Sequence, residues 1–132
     1  MRVWKIITDL TPEQNAMYPG AFSNEDDMRI IKLGRDHGIQ SWDHEKEDIV
    51  IPYLICTEDV LNELLDIVEK YDIKFEPLDI TEEFLMGLHL IPDDGFIKFR
   101  EDNITEDIVY AKIKKYGGKS LDELEKSVLE NF

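Results

Sequence analysis

The chain has 132 residues, of which 30 are acidic and 15 are basic, so its formal net charge is −15. This length fits one domain, and a 42% share of hydrophobic residues is enough to build a core. We therefore expect one α+β domain over residues 1–132. Direct binding to nucleic acid is disfavoured, because it needs several cationic contacts to phosphates.

The start of the chain has no long apolar stretch, so we expect neither a signal peptide nor a membrane span. The one cysteine, Cys56, excludes an intramolecular disulfide and ends an apolar run, which favours a buried, unreactive thiol. These features predict a soluble cytoplasmic protein. No motif in the sequence indicates a cofactor.

The first half of the chain predicts a strand over residues 2–8 and a short helix that begins at Thr11 and Pro12, with Gln14 completing a capping box. An exposed loop is predicted over residues 15–27. Residues 28–33 fit either a helix or a strand. A polar loop is then predicted as far as Asp48.

A strand over residues 49–56 is predicted by an almost wholly apolar run, although Pro52 favours a bulge or an edge position there. Residues 57–71 follow as an amphipathic helix, and residues 73–78 as a strand. This strand, helix and strand predict a right-handed βαβ unit. The apolar face of the helix comprises Val60, Leu61, Leu64, Leu65, Val68 and Tyr71.

The second half predicts a short helix over residues 81–88, a turn at Asp93–Asp94–Gly95 and a strand over residues 96–100. Two helices end the chain, at residues 105–116 and from Ser120 to about residue 131. The whole pattern predicts a small mixed sheet of about four strands with one βαβ unit and two C-terminal helices.

Three segments share a pattern of an apolar residue, a threonine, two acids and two apolar residues. The threonines are Thr57, Thr81 and Thr105. A threonine before two acids is typical of a helix start, where the hydroxyl caps the helix and the carboxylates meet the positive end of its dipole. Many acids are therefore explained by helix starts.

The remaining acids lie mainly in predicted loops, where they are able to meet a partner, and Trp42 lies among them. Exposed aromatic and charged side chains suit a protein interface, although packing of Trp42 against the sheet is the alternative. The predicted partner-binding residues are Glu25, Asp26, Asp27, Trp42, Asp43, Glu45, Glu47, Asp48, Asp93 and Asp94.

The predicted loop over residues 35–48 contains two Asp-His pairs, Asp36–His37 and Asp43–His44. Imidazole and carboxylate groups are common metal ligands, so these four are weak candidates for a metal site. Adjacent side chains point apart on a strand or helix, which opposes chelation by either pair. No catalytic residues are predicted.

Three functions are consistent with these features. The sequence favours a non-enzymatic acidic domain that neutralises a basic partner, in the manner of an immunity protein against a nuclease-like toxin or of a nucleic-acid mimic. One alternative is a small metal-dependent hydrolase that uses the 35–48 loop. The other is an accessory domain of a larger assembly. The oligomeric state stays open.

Overall fold

A four-stranded sheet organises the first of the two units, Met1–Asp79 and Ile80–Phe132, into which the chain divides. The structure is a computed structural model that describes residues 1–13, 24–71 and 73–130. The strands are β1 (Arg2–Ile7), β2 (Gln40–Lys46), β3 (Ile49–Cys56) and β4 (Glu76–Asp79). Their order is β2-β3-β1-β4, and each adjacent pair is antiparallel.

The predicted strand–helix–strand unit contains an inserted strand. Both β3 and β4 are antiparallel to β1, which lies between them, so β3 and β4 run in the same direction. Helix α2 (Glu58–Glu69) connects them. The α+β class, the four strands and the two C-terminal helices are confirmed, whereas the sheet predicted to be mixed is antiparallel at each of its three pairings.

Helix α2 forms where its capping residue and its apolar spacing predict it. The Thr57 hydroxyl accepts a hydrogen bond from the Val60 N–H at 3.3 Å. Val60 and Leu61 pack with Trp4, Ile6 and Cys56 in a buried cluster on one face of the sheet. Burying apolar surface in this way is the main favourable contribution to folding. All six residues of the predicted apolar face are buried or half-buried.

Helix α1 (Asn24–His37) and strand β2 both differ from their predictions. The segment 28–33, left open between helix and strand, is helical, and acids in the first turn of α1 match its dipole. Strand β2 was predicted as a loop because it is polar. It forms because its backbone pairs with β3 along its whole length. Of the helix predicted from Pro12, Pro12 and Glu13 are helical, whereas Gln14 and residues 15–23 of the predicted loop lie outside the described residues.

The second unit is helical in its described part. Its elements are α3 (Thr81–Leu85), α4 (Asp94–Asn103), α5 (Glu106–Tyr116), a 3-10 turn (Gly118–Ser120) and α6 (Glu123–Glu130). Phe84 and Phe96 meet edge to face, with ring centroids 6.1 Å apart, and Phe96 and Val109 are fully buried. This aromatic contact is a favourable geometry that adds to area burial.

The predicted strand over residues 96–100 is wrong, because these residues lie in α4. Asp93 caps this helix by accepting the Phe96 N–H at 3.2 Å, so the predicted turn is a helix start. Thr105 caps α5 as predicted. Thr81 lies inside α3 and does not cap it, and Ser120 bonds back to the Gly117 carbonyl and does not start α6.

Candidate functional site

The hairpin formed by β2 and β3 presents four exposed acids, which we call the acidic hairpin: Asp43, Glu45, Glu47 and Asp48. Among the described strands, β2 is at the edge of the sheet and pairs with β3 alone. Lys46 is the one lysine or arginine within residues 40–49. The acidic hairpin therefore combines an exposed sheet edge with a local excess of negative charge.

The two faces of β2 carry different side chains. Ser41 pairs with Leu54, and Leu54 packs against the buried cluster beneath α2. Because strand side chains alternate, Asp43 and Glu45 share this face with Ser41. Trp42 projects from the opposite face, where its ring lies 5.4 Å from that of His44 and 5.8 Å from that of Tyr53. Trp42 is half-buried and, by this alternation, lies on the face opposite the strand acids.

The backbone of β2 follows the same alternation. The Val50 N–H donates to the carbonyl of Leu10, three residues after the end of β1, so even-numbered residues of β3 direct their N–H groups toward the β1 side. Odd-numbered residues of β3 then direct their N–H and C=O groups toward β2, where their register partners are the even-numbered residues. Ser41, Asp43 and Glu45 therefore direct their N–H and C=O groups outward, away from β3.

The hairpin turn has an unusual backbone conformation. Lys46 pairs with Ile49, so the turn has two residues, Glu47 and Asp48. Glu47 has φ of 59°, and among the described residues it is the one non-glycine with positive φ. The first position of a type II′ turn requires this conformation and normally takes glycine. A strained glutamate at this position holds a carboxylate at the tip of the hairpin.

An apolar groove of about 300 Å³ is lined by residues of α1, β2, β3 and α2. Ile30 and Gly34 of α1 and Ser41 of β2 are among its lining residues. A Cβ atom added to Gly34 would meet no other heavy atom within 4 Å, so the groove has free space at this point. The remaining lining residues are Ile39, Leu54, Leu64, Val68 and Phe75.

The three acids predicted in the first turn of α1 have different surroundings. Glu25 is exposed, and Asp27 is half-buried. Asp26 is buried and accepts hydrogen bonds from the Tyr71 hydroxyl and from Lys70 Nζ, the latter at 3.1 Å. These bonds link α1 to the residues just after α2. Asp26 is thus a structural residue, and we leave it out of the candidate surface.

Asp93 and Asp94 belong to the second unit and lie at the start of α4. The Asp93 carboxylate is used in capping, and the exposed Asp94 occupies the first turn, where its charge favours the helix dipole. The predicted partner-binding residues are therefore divided between the two units. The four acids of the acidic hairpin are the largest group that the fold brings together.

The weak metal candidates lie on two different elements. Asp36 and His37 end α1, where Asp36 is 3.4 Å from Arg35 Nε, whereas Asp43 and His44 are adjacent on β2 and point to opposite faces. Within residues 1–13, 24–71 and 73–130, no group of three or more His, Cys, Asp or Glu side chains is arranged to hold a metal ion. Asp36, His37, Asp43 and His44 are therefore not arranged as a metal site in the described part of the chain.

The cysteine prediction is confirmed as far as burial is concerned. Cys56 is 1% exposed and lies in the cluster beneath α2. Burial raises the pKa of its thiol to about 11, which leaves the reactive thiolate scarce at neutral pH.

The sequence did not predict a buried ionic network in the second unit. Glu125 Oε1 lies 2.6 Å from Lys112 Nζ and 3.5 Å from Arg100 Nη2, and both Glu125 and Lys112 are buried. Asp122 and Glu125 form a capping box, in which each carboxylate accepts the other's backbone N–H. The spacing of Asp122 and Glu125 at the start of α6 was the sequence signal for this capping box.

Asp122 also contacts Arg100 Nη1 at 2.9 Å. Burial raises the pKa of the Asp122 carboxyl, but the Glu125 N–H and the Arg100 guanidinium outweigh this effect and hold the pKa below its ordinary 3.8. Lys112 is buried, whereas the nearby Lys114, Lys115 and Lys119 are exposed. The network gives its charges a structural role.

A cationic surface on α1 was also missed. Arg29, Lys32 and Arg35 are exposed there, together with Met28 and Ile31, which are 64% and 53% exposed. Their spacing of three and four residues places them on one side of the helix. The first unit therefore has positive as well as negative surface.

Comparison of the chain with known protein families, with curated proteins and with solved structures finds no match. Within the described residues, no helix has both the length and the apolar character needed to cross a membrane.

Proposed function

We propose that this protein is a non-enzymatic binding domain that docks a basic protein partner on its acidic hairpin and so inhibits or neutralises that partner. The observation that supports the proposal is the exposure of Asp43, Glu45, Glu47 and Asp48 on one hairpin at the edge of the sheet. Exposed acids on a paired backbone are held at fixed spacing, so a complementary surface is met without ordering a loop first.

Electrostatic attraction gives this arrangement a role in association. A net charge of −15 draws a cationic protein toward the chain, and the hairpin supplies the local contacts that fix its orientation. The same attraction is screened over about 8 Å at physiological ionic strength. Binding is therefore expected to be fast at low salt and to weaken steeply as salt is added.

The partner class follows from the charge. A nuclease-like toxin or another nucleic-acid-binding protein has a cationic surface for phosphates, and carboxylates are able to occupy that surface. The protein would then act as an inhibitor of the immunity-protein type, without binding nucleic acid itself. We place this function in the cytoplasm, since the one cysteine is buried as a free thiol.

An accessory domain would be favoured by an exposed aromatic surface at Trp42. Trp42 is half-buried, stacks with His44 and lies tilted against Tyr53. The acidic hairpin is the surface that the described residues support best.

The proposal is tested by neutralising the hairpin. The variant carries Asp43→Asn, Glu45→Gln, Glu47→Gln and Asp48→Asn, and a matched control carries Glu82→Gln, Glu101→Gln, Asp107→Asn and Glu130→Gln. Both change the net charge equally, and all eight acids are exposed. We identify the basic proteins that the wild-type chain captures from the native host at low salt. Their affinities for the wild-type chain, the hairpin variant and the control variant are then measured across a salt series.

We expect the hairpin variant to bind at least tenfold more weakly, a loss of about 1.4 kcal/mol. The control should stay within about twofold, because it keeps the four hairpin acids and changes only the net charge, whose field is screened. Equal losses in both variants would show that net charge alone is recognised, and unchanged binding in the hairpin variant would remove the site.

A further inference from the structure

We infer that the acidic hairpin captures its partner as an added β-strand along the outer edge of β2, a step that rests on the proposed function and specifies how the partner is held. The partner segment is extended, and it carries two basic residues and one apolar residue at alternate positions. An exposed sheet edge, an adjoining apolar groove and two aligned carboxylates meet along this strand.

The backbone at this edge is available for pairing. Ser41 and Glu45 direct their N–H and C=O groups away from β3, and in the described part of the chain these groups have no backbone partner at that edge. Unpaired edge groups are a template for another strand, and peptides bind many domains in this way. The three existing pairings of the sheet are antiparallel, so the added strand is expected to run antiparallel to β2.

The apolar groove supplies the second contact. Ser41 of β2 lines it together with Ile30 and Gly34 of α1. The side chain of an added residue opposite Ser41 projects on the groove side, because directly opposed residues share a face. An apolar side chain of leucine size fits a space of about 300 Å³ that is lined mainly by apolar groups.

The carboxylates supply the third contact and set the pattern. Asp43 and Glu45 follow Ser41 at intervals of two residues, about 7 Å apart along the strand, on the same face as the groove. Residues opposite them on an antiparallel partner precede the apolar residue by two and four positions. The segment therefore reads basic-x-basic-x-apolar from its N-terminus to its C-terminus.

Charge also excludes a second copy of this chain as the occupant. Two β2 strands paired edge to edge would bring the acids Asp43 and Glu45 of both copies onto adjoining strands, and like charges on paired strands are destabilising. The same acids would form ion pairs with a basic strand. Asp43 and Glu45 therefore favour a basic partner strand and also disfavour self-association.

Three synthetic peptides test the inference against the full chain by calorimetry at low salt. The first is Thr-Lys-Thr-Lys-Thr-Leu-Thr with blocked termini. The second has the same sequence with N-methylated amides at the two lysines and at the leucine, which removes backbone donors and keeps every charge. The third has the same composition with the two lysines adjacent, which breaks the alternation.

The first peptide is expected to bind with one-to-one stoichiometry and at least tenfold more tightly than the other two. Equal binding of the N-methylated peptide would overturn strand addition, as would the absence of binding by all three. Either of these results leaves the proposed function to be decided by capture of the host partner, where the hairpin variant and its matched control are compared.

Three protein variants locate the contacts. The pair Asp43→Asn and Glu45→Gln should weaken binding of the first peptide more than the pair Glu47→Gln and Asp48→Asn. The second pair lies in the turn and changes the net charge by the same amount. Gly34→Leu should fill the groove and weaken the leucine peptide at least fivefold, while leaving a leucine-to-alanine version of that peptide within twofold. If the two charge pairs act equally and Gly34→Leu has no effect, the peptide is held by net charge and not at this edge.

Discussion

The first unit has 18 acids and 8 bases, whereas the second has 12 acids and 7 bases, so their net charges are −10 and −5. The two units use their carboxylates differently. In the second unit, the buried Glu125 is held by Lys112 and lies beside Arg100. In the first unit, Glu45, Glu47 and Asp48 are exposed at a sheet edge.

This difference separates charge that maintains the fold from charge that is available to a partner. A buried carboxylate requires a cation and hydrogen bonds, because its desolvation is costly. An exposed carboxylate has no such requirement and contributes little to stability. Removing a charge of the network should therefore lower stability much more than removing a charge of the hairpin. Removing a charge of the hairpin should weaken partner binding more than removing a charge of the network.

The largest effect is expected from breaking the network. Glu125→Ala leaves the buried Lys112 ammonium without its carboxylate and should lower the free energy of unfolding by about 3–5 kcal/mol. Glu45→Ala, at the hairpin, should change it by no more than about 0.5 kcal/mol. Urea unfolding followed by circular dichroism measures both. Similar losses for the two variants would remove the distinction between the two regions.

A smaller loss is expected at the one buried acid among the predicted partner-binding residues. Asp26→Ala removes the acceptor for Lys70 and for the Tyr71 hydroxyl and should cost about 1–3 kcal/mol. Glu25→Ala, at the preceding exposed position, serves as the control in the same urea titration. If Asp26→Ala is as stable as its control and instead weakens partner binding, Asp26 belongs to the docking surface after all.

The hairpin tip offers a change of opposite sign. Glu47→Gly relieves a positive φ at a non-glycine residue and should stabilise the first unit by up to about 1 kcal/mol, since glycine adopts this conformation without strain. Glu47→Ala removes the same charge without relieving the strain and is the matched control. A destabilising effect of glycine relative to alanine would contradict the turn assignment.

The smallest expected effect is on the free energy of unfolding at acidic pH. The pKa of Asp122 is lower in the folded chain than its ordinary 3.8, so its stabilisation is complete above that pH and is lost as the pH falls through the folded value. Asp122→Asn should therefore flatten the decline in unfolding free energy below pH 4, compared with wild type. A decline that is unchanged in the variant would show that Asp122 gains nothing from Arg100.

Local signals predicted much of the fold. Thr57 and Thr105 cap helices as the pattern indicates, and the spacing of apolar residues predicted α2. The prediction failed at two segments, one for a local reason and one for a tertiary reason. Phe96–Arg100 fits either a strand or a helix by its apolar spacing, and the cap at Asp93 settles it as α4. The polar sequence of β2 forms a strand because β3 pairs with it.

The candidate site was predicted only as a set of loop acids. Asp43, Glu45, Glu47 and Asp48 are close in sequence, so their grouping followed from spacing. The burial of Asp26 depends on Tyr71, a residue 45 positions away, and no local pattern indicated that contact. The direction of the β2 edge groups follows from strand register, which a sequence without a clear turn signal does not specify.

Amide hydrogen exchange along β2 tests the central claim most directly. In the free chain, the Ser41 and Glu45 amides should exchange faster than those of Trp42 and His44, whose N–H groups are directed toward β3. Saturation with the basic-x-basic-x-apolar peptide should slow Ser41 and Glu45 at least tenfold and leave amides of the second unit unchanged. Unaltered exchange at Ser41 and Glu45 in the presence of bound peptide would contradict docking on this edge.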